Sequence, residues 1–255
     1  MEPSAIKLQD VWLSYRIYGT SNRSLKQTVL SRVSRGRIGG QAGSATRVQA
    51  LKGISLDLQE GDRVGLIGSN GAGKTTLLRV LVGAMWPDRG YVRRVGMTSS
   101  LFDVFLGMNF ELSGWENIIL RGLFLGLGVP EIRAHLDEIV AFCGLTTEQL
   151  SRPVRTYSAG MGLRLAFAVC TCLNPDILLL DEWIWVSDAS FVQKAQDRMN
   201  EMVQQTRIMV IATHAESLIR TMCNKALYLR HGEMRFFGPV DEAFAAYNSD
   251  VAAAA

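Results

Sequence analysis

The 255-residue sequence contains few cysteines, and none of them has the spacing of a metal or redox pair. The four cysteines, Cys143, Cys170, Cys172 and Cys223, include no CxxC motif. Cys170 and Cys172 are two residues apart in a run typical of a helix, so their side chains point to different sides. We therefore expect buried, reduced thiols rather than a disulfide framework or a metal cluster.

Long apolar runs are also missing from the sequence. The longest, Ile118–Val129, is interrupted by Arg121 and by several glycines. It falls short of the roughly 20 residues that a bilayer-spanning helix needs. The opening residues Met1–Asp10 lack the basic and then apolar pattern of a signal peptide. We expect a chain that reaches a membrane only through a partner.

The sequence has no strong excess of charge of one sign. It has 27 Lys and Arg against 24 Asp and Glu, a net charge of +3. This is too small to indicate a nucleic-acid partner, and we expect none. Basic residues do concentrate in the segment 19–47, which contains no acidic residue. A solvated insertion is one interpretation, and a contact with anionic lipid headgroups or a phosphorylated substrate is the other.

Apolar periodicity predicts an α/β fold that carries an inserted helical subdomain. The predicted strands are Ile6–Tyr18 (an edge strand or hairpin arm), Ala50–Leu58, Arg63–Ile67, Ile177–Leu180 and Ile208–Ala212. The predicted helices are Thr75–Gly83, an amphipathic helix that begins at Pro130 and includes Cys143, and Met161–Cys172. We predict one domain over residues 1–250, with the helical subdomain at about 101–172 and a short tail at 251–255.

A glycine-rich loop that ends in lysine and threonine stands between a predicted strand and a predicted helix. The loop residues are Gly68, Ser69, Asn70, Gly71, Ala72, Gly73, Lys74 and Thr75, and Thr76 follows them. Glycines let backbone N–H groups converge on phosphate oxygens, Lys74 supplies a positive charge, and the Thr75 hydroxyl is placed to hold Mg²⁺. The positive end of the following helix faces the same anion. The loop therefore predicts a phosphate-binding site.

Two acidic residues, Asp181 and Glu182, follow the apolar strand Ile177–Leu180. Open α/β sheets bind their ligands at the carboxyl ends of the strands. Asp181 is predicted to coordinate Mg²⁺ through water, and Glu182 to accept a proton from the attacking water or to polarise it. The alternative is a solvated strand end with no chemical role.

The segment Tyr157–Met161 precedes a helix, and by itself it would indicate only a helix N-cap. With the phosphate loop, the strand followed by two acids, and a strand that ends in Ala212-Thr213-His214, it resembles the ATP-binding cassette family. The resemblance covers about Ile6 to Phe244. It implies an α/β phosphate-loop ATPase core with a mixed sheet and a helical subdomain, which binds ATP and Mg²⁺.

The resemblance also implies roles for single residues. Ser158 and the backbone of Gly160 match positions that bind the γ-phosphate of the ATP held by the opposite subunit. His214 matches a histidine that contacts this phosphate and orients the catalytic water, and Asp188 matches an acid in a loop that crosses the dimer interface. Tyr15 matches an aromatic residue that stacks on adenine, with Tyr18 as a nearby competitor. Because each motif occurs once, the resemblance implies a homodimer.

The sequence departs from the family pattern in two places. Many members have a glutamine after the third strand that senses Mg²⁺ and the membrane partner, and Leu101–Gly107 contains none. Asp103 is the nearest polar candidate for that role, and hence a candidate metal ligand. The usual signature LSGGQ is also changed, although Ser158 and Gly160 keep the serine and the last glycine.

Four stretches resemble the ATPases of polysaccharide exporters more closely. They are Tyr15–Tyr18 with the basic insertion after it, Gly107–Asn117, the signature with Arg164–Ala168, and Val186–Phe191. This resemblance implies an ATPase subunit on the cytoplasmic face of the inner (plasma) membrane. It would power the export of a lipid-linked glycan of the O-antigen, capsule or teichoic acid type through a separate membrane-spanning subunit.

Two alternatives come from other classes of cassette protein. An importer or drug-exporter ATPase predicts a glutamine near Asp103, which the sequence lacks. A cassette ATPase that acts on ribosomes or DNA predicts two cassettes or long coiled-coil inserts, and a more basic surface. The chain also ends soon after Ala245, so we expect no C-terminal carbohydrate-binding domain.

Overall fold

A computed structural model describes residues 3–17, 46–101, 104–182 and 189–253. The strands in these ranges are β1 (Ala5–Ile17), β2 (Thr46–Gln59), β3 (Arg63–Ile67), β4 (Arg89–Val95), β5 (Thr98–Ser100), β6 (Ile177–Asp181), β7 (Ile208–Ala212), β8 (Lys225–Arg230) and β9 (Glu233–Pro239). The helices are α1 (Lys74–Val82), α2 (Gly114–Phe124), α3 (Val129–Ala134), α4 (Leu136–Cys143), α5 (Thr147–Leu150), α6 (Ala159–Thr171), α7 (Ala189–Gln205), α8 (Glu216–Met222) and α9 (Val240–Ala252). Across these ranges no helix is both long enough and apolar enough to span a bilayer.

The larger sheet has six strands in the order β5-β6-β7-β3-β8-β9. All neighbours are parallel except β8 and β9, so the predicted mixed sheet is confirmed. The β7 residues are all buried, as expected for parallel strands covered on both faces. In the register, Ala212 lies opposite both Leu66 and Asp181. The chain therefore leaves β3, β6 and β7 at one edge of the sheet.

The smaller sheet is antiparallel, in the order β2-β1-β4. Strand β1 pairs with both neighbours, so the prediction of an edge strand is wrong, while the pairing with β2 makes it a hairpin arm. The second partner was missed because β4 reads RGYVRRV, with no alternation of apolar residues. Apolar side chains of β1 and β2 share one core with Leu77 and Leu81 of α1. The sheet is thereby packed against the helix that follows the glycine-rich loop.

Helices α2 to α6 share a separate hydrophobic core, which includes Ile118, Ile139 and Leu165. The helix predicted to begin at Pro130 is in fact two helices, α3 and α4. They meet at His135, whose φ of −93° and ψ of 0° depart from helical values and whose N–H divides its hydrogen bond between the carbonyl oxygens of Glu131 and Ile132. The predicted apolar face survives the break, because Ile139 and Cys143 are both buried.

Part of the stretch that resembles polysaccharide exporters forms the start of α2. The Ser113 side chain accepts a hydrogen bond from the Glu116 N–H, and the Glu116 carboxylate accepts one from the Ser113 N–H at 2.8 Å. This reciprocal capping box satisfies two of the N–H groups at the helix start. Asn117 is fully buried and donates to the carbonyls of Asn109, Leu112 and Ser113. The stretch therefore fixes where the helical region begins.

The cysteines lie where the sequence predicts. Cys143, Cys170 and Cys172 are buried, and Cys223 is half-buried. All four are free thiols. Burial raises the pKa of Cys172 and of Cys223 to about 12, so both thiols stay protonated at neutral pH. Cys172 and Cys223 therefore act as apolar packing groups, whereas Cys170 Sγ accepts hydrogen bonds from the buried Arg121 guanidinium at 2.6 and 3.2 Å.

Candidate nucleotide-binding site

The glycine-rich loop between β3 and α1 needs glycine for both conformational and steric reasons. Gly68, Gly71 and Gly73 have φ values of 149°, 77° and 109°, which side chains disfavour. A Cβ atom at Gly68 would lie 2.3 Å from the Leu229 carbonyl oxygen, and one at Gly73 would lie 2.8 Å from that of Ala50. A Cβ atom at Gly71 would meet no atom within 4 Å. The loop therefore packs tightly against the protein at Gly68 and Gly73 and faces open space at Gly71.

Lys74 begins α1 and folds back over the loop. Its Nζ atom donates to the carbonyl oxygens of Gly68 at 2.6 Å and Ser69 at 3.2 Å. Burial lowers the pKa of Lys74, and the charges of Glu182 and Asp181 oppose that effect by favouring the ammonium form. Two of the three ammonium donors are thus used within the loop, and the third is available for a ligand.

Glu182 lies between the ends of β6 and β7. Its N–H donates to the carbonyl oxygen of Ala212 at 2.7 Å. The Thr213 hydroxyl donates to Glu182 Oε2 at 3.3 Å, and His214 Nε2 lies 3.8 Å from Glu182 Oε1. These contacts exist because β6 and β7 are neighbours in the sheet. The acid and the histidine, far apart in the sequence, are thus brought together.

One cavity of about 570 Å³ joins most of the predicted residues. Its lining comprises Tyr15, Val48, Gln49, Ala50, Asn70, Gly71, Ala72, Gly73, Lys74, Thr75, Thr76, Asp181, Glu182 and His214. Gly68 and Ser69 do not line the cavity, and their carbonyl oxygens accept hydrogen bonds from Lys74 Nζ. The segment 48–50 was missed, because a strand that enters a site from the opposite sheet leaves no local motif.

Tyr15 forms one wall of the cavity through a hydrogen bond to the glycine-rich loop's helix. Its hydroxyl lies 3.2 Å from Thr76 Oγ1 and 3.3 Å from Met85 Sδ. Thr76 itself is buried, and the contact between the two hydroxyls is partly buried. The phenol ring is therefore fixed by its far end, and its face is the part left to meet a ligand.

The residues present fit a nucleotide with Mg²⁺. Thr75 and Asp181 line the same cavity and offer a hydroxyl and a carboxylate, the oxygen ligands that Mg²⁺ prefers. Within the described ranges, no group of three or more His, Cys, Asp or Glu residues could hold a metal by itself. This donor set suits a cation that shares its coordination with phosphate oxygens. Asp103 and Asp188, the other predicted candidates, lie outside the described residues, as do Tyr18 and residues 19–45 of the basic segment.

The signature segment lies away from this cavity. Ser158 is the N-cap of α6, and its Oγ accepts a hydrogen bond from the Met161 N–H at 3.2 Å. The Ser158 side chain is exposed, and Gly160 lies in the first turn of the same helix. Neither residue lines the cavity around Lys74. The structure thus brings the phosphate loop, Asp181, Glu182 and His214 together, and leaves the signature residues apart.

Comparisons with known proteins agree with this geometry. The model of the ABC transporter family matches residues 51–184. The O-antigen export system ATP-binding protein RfbE of Yersinia enterocolitica is 43% identical over 90% of this chain and 95% of that protein. RfbB of Myxococcus xanthus, with the same description, is 38% identical over 98% of this chain and 57% of that protein. The teichoic acids export ATP-binding protein TagH of Bacillus anthracis is 38% identical over 76% of this chain and 35% of that protein.

Solved structures share the fold at lower identity. The ATP binding subunit of an ABC transporter has a TM-score of 0.65 at 20% identity, over 95% of this chain and 93% of that one. A cassette solved as a dimer after hydrolysis, with ADP and Pi bound, has a TM-score of 0.62 at 21% identity, over 92% of this chain and 98% of that one. The sequence-based resemblance is therefore confirmed, including its polysaccharide-export branch, and the chain belongs to the ABC transporter family.

Proposed function

We propose that the chain is the ATP-hydrolysing subunit of an exporter that moves a lipid-linked polysaccharide through a separate membrane subunit. The observation that carries the ATPase part is the single cavity lined by the phosphate loop, Asp181, Glu182 and His214. The export part is supported by the relative that is 43% identical and described as an O-antigen export ATP-binding protein. In this role the chain would sit peripherally on the cytoplasmic face of the plasma membrane.

We propose the following tasks in hydrolysis for residues of the cavity. Lys74 and the loop N–H groups bind and orient the β- and γ-phosphates, and Tyr15 presents its ring to the adenine. Glu182 accepts a proton from the attacking water as the water oxygen bonds to the γ-phosphorus and the bond to the β-phosphate oxygen breaks. His214 orients that water. Thr75 and Asp181 would hold Mg²⁺, which supplies positive charge to the phosphates when it is bound.

The site needs a second copy of the chain. Ser158 and Gly160 stand at the N-terminus of α6, where N–H groups favour an anion, yet they lie apart from the cavity in their own chain. In a head-to-tail homodimer, each signature would cover the phosphates bound by the other subunit. ATP would then bring the two copies together, and its hydrolysis would release them.

The proposal is tested with Glu182→Gln in purified protein and in the source organism. We expect ATP binding to persist and the turnover rate to fall roughly 10²–10⁴-fold, because the general base is lost. In cells we expect lipid-linked polysaccharide to accumulate inside and to be lost from the surface. The measurements are steady-state ATP hydrolysis and the sugar composition of the cytoplasmic and surface glycan pools.

Glu148→Gln is the matched control. Glu148 is a surface carboxylate on α5 that, among the described residues, pairs with Arg152 at 2.5 Å, and its substitution should change neither readout. Normal turnover by Glu182→Gln would refute the assignment of the base. Slow turnover with unchanged glycans would leave the ATPase standing and refute polysaccharide export.

A further inference from the structure

Thr213, between the end of β7 and His214, is a buried hydroxyl inside the site that the mechanism above does not use. The residue is 6% exposed, although its neighbours Glu182 and His214 reach solvent with side chains that are 50% and 60% exposed. Its Oγ1 lies 3.3 Å from Glu182 Oε2 and 3.2 Å from the backbone nitrogen of Ala215. Buried hydroxyls are commonly satisfied on both sides, and this one links the carboxylate to the backbone after β7.

These two contacts fix the direction of the single hydroxyl hydrogen. The N–H of Ala215 can only donate, so it occupies a lone pair of Thr213 Oγ1. The carboxylate of Glu182 can only accept, so the hydroxyl hydrogen points to it. The hydrogen bond that Thr213 Oγ1 accepts therefore orients the one that its hydroxyl donates. Because the side chain is β-branched, rotation about its χ1 angle is also restricted.

The same strand end also holds the backbone of Glu182. The carbonyl oxygen of Ala212 accepts the Glu182 N–H at 2.7 Å. Glu182 has a φ of 67°, in the left-handed region that non-glycine residues rarely adopt. Two consecutive residues of one strand end, Ala212 and Thr213, thus fix the main chain and the side chain of Glu182.

We propose that Thr213 is a positioning residue that holds the Glu182 carboxylate in the orientation needed to accept a proton from water. This inference rests on the proposed role of Glu182 as the base. Glu182 is half-exposed, and His214 Nε2 lies 3.8 Å from its carboxylate, beyond a normal hydrogen bond. Without the Thr213 hydroxyl the carboxylate would spread over solvent-exposed rotamers, and fewer of them would face the water.

The test compares Thr213→Val, which keeps the shape and removes the hydroxyl, with Thr213→Ser, which keeps the hydroxyl. Loss of a hydrogen bond to a charged group costs enough free energy to lower a rate about tenfold. We expect Thr213→Val to lower kcat for ATP hydrolysis about tenfold while KM for ATP stays within about twofold, because the phosphate loop is untouched. Thr213→Ser should keep kcat within about threefold of the unsubstituted protein. Thr213→Ala is the second variant if the valine does not pack.

A double substitution separates this inference from the assignment of the base. If Thr213 acts through Glu182, then Thr213→Val should not lower the residual rate of Glu182→Gln any further. An equal tenfold loss in both backgrounds would overturn the positioning role and leave the base in place. Unchanged kcat in both the valine and alanine variants would overturn it as well. Normal turnover by Glu182→Gln alone would instead defeat the base itself.

Discussion

The edge of the larger sheet and the start of α6 both carry groups suited to an anion, but only the first forms a site within one chain. At the sheet edge, Lys74, Glu182 and His214 line one cavity, the charges of Lys74 and Glu182 attract each other, and His214 Nε2 lies 3.8 Å from Glu182 Oε1. At the start of α6, Ser158 is exposed, and among the described residues its side chain bonds to the Met161 N–H of its own helix turn. This difference supports the proposed head-to-tail dimer, in which the signature residues of one chain cover the phosphates bound by the other.

The sharpest way to break this comparison is to damage the two regions in different chains. Lys74→Ala removes the positive charge that binds the phosphates and should lower ATP hydrolysis at least about 100-fold. Ser158→Asp keeps a good N-cap but places a negative charge against the γ-phosphate, and should lower hydrolysis similarly while ATP still binds. An equal mixture should regain about a quarter of the intact sites, because half of the dimers are mixed and each has one undamaged site.

The control for the mixture is Ser158→Asn, which keeps the cap without the charge and should hydrolyse ATP far better than the aspartate variant. Hydrolysis rates of the single variants and of the mixture are measured at equal total protein. If the mixture stays as inactive as the two separate variants, the two regions do not complement each other between chains, and the head-to-tail arrangement is wrong.

A smaller effect is expected from the wall of the cavity. Tyr15→Phe removes the hydroxyl that bonds to Thr76 but keeps the aromatic face. We expect KM for ATP to rise about two- to fivefold with kcat unchanged, since a single partly buried hydrogen bond is lost. Tyr15→Ala removes the ring as well and should raise KM further. Equal KM values for the two variants would show that the ring face contributes nothing to binding.

The smallest effect concerns the contact between α7, which packs on the larger sheet, and α4 of the helical region. Lys194 of α7 donates to the carbonyl oxygens of Ala141 and Phe142 at the end of α4, both at 3.0 Å, and lies 4.7 Å from the centre of the Phe142 ring. A cation at a helix C-terminus is stabilising. Lys194→Met should lower the free energy of unfolding by about 1 kcal/mol, measured by urea denaturation, and leave ATP hydrolysis unchanged.

Lys52→Met is the matched control for that measurement. Lys52 forms a surface ion pair with Glu233 at 3.4 Å, and such pairs contribute little. Its substitution should change the free energy of unfolding by less than about 0.5 kcal/mol. If both lysine variants behave alike, the contact between α7 and α4 is not stabilising.

The sequence was sufficient for features that depend on local order. The glycine-rich loop, the strand that delivers Asp181 and Glu182, and the strand before His214 are all short continuous motifs, and the structure has them at those places. The parallel sheet follows from alternating strands and helices. These patterns explain why most of the cavity lining could be named in advance.

The remainder depends on contacts between distant segments. Thr213 reaches Glu182 across 31 residues, and Tyr15 reaches Thr76 across 61. Neither pair has a spacing that periodicity can detect. The central place of β1 was hidden because its partner β4 lacks an apolar alternation, and the turn at His135 divides an apolar pattern that continues across it. Such features arise from tertiary packing, which overrides local preference.

The left-handed backbone conformation of Glu182 means that selection for stability alone would tend to replace this residue. With φ at 67°, glycine or asparagine would suit position 182 better than glutamate by about 1 kcal/mol or more. A library screened only for thermal stability or yield would therefore favour replacements that relieve this conformation and remove the proposed base. Any attempt to stabilise this protein should leave Glu182 unchanged, because stability and the proposed role in turnover are opposed at this one residue.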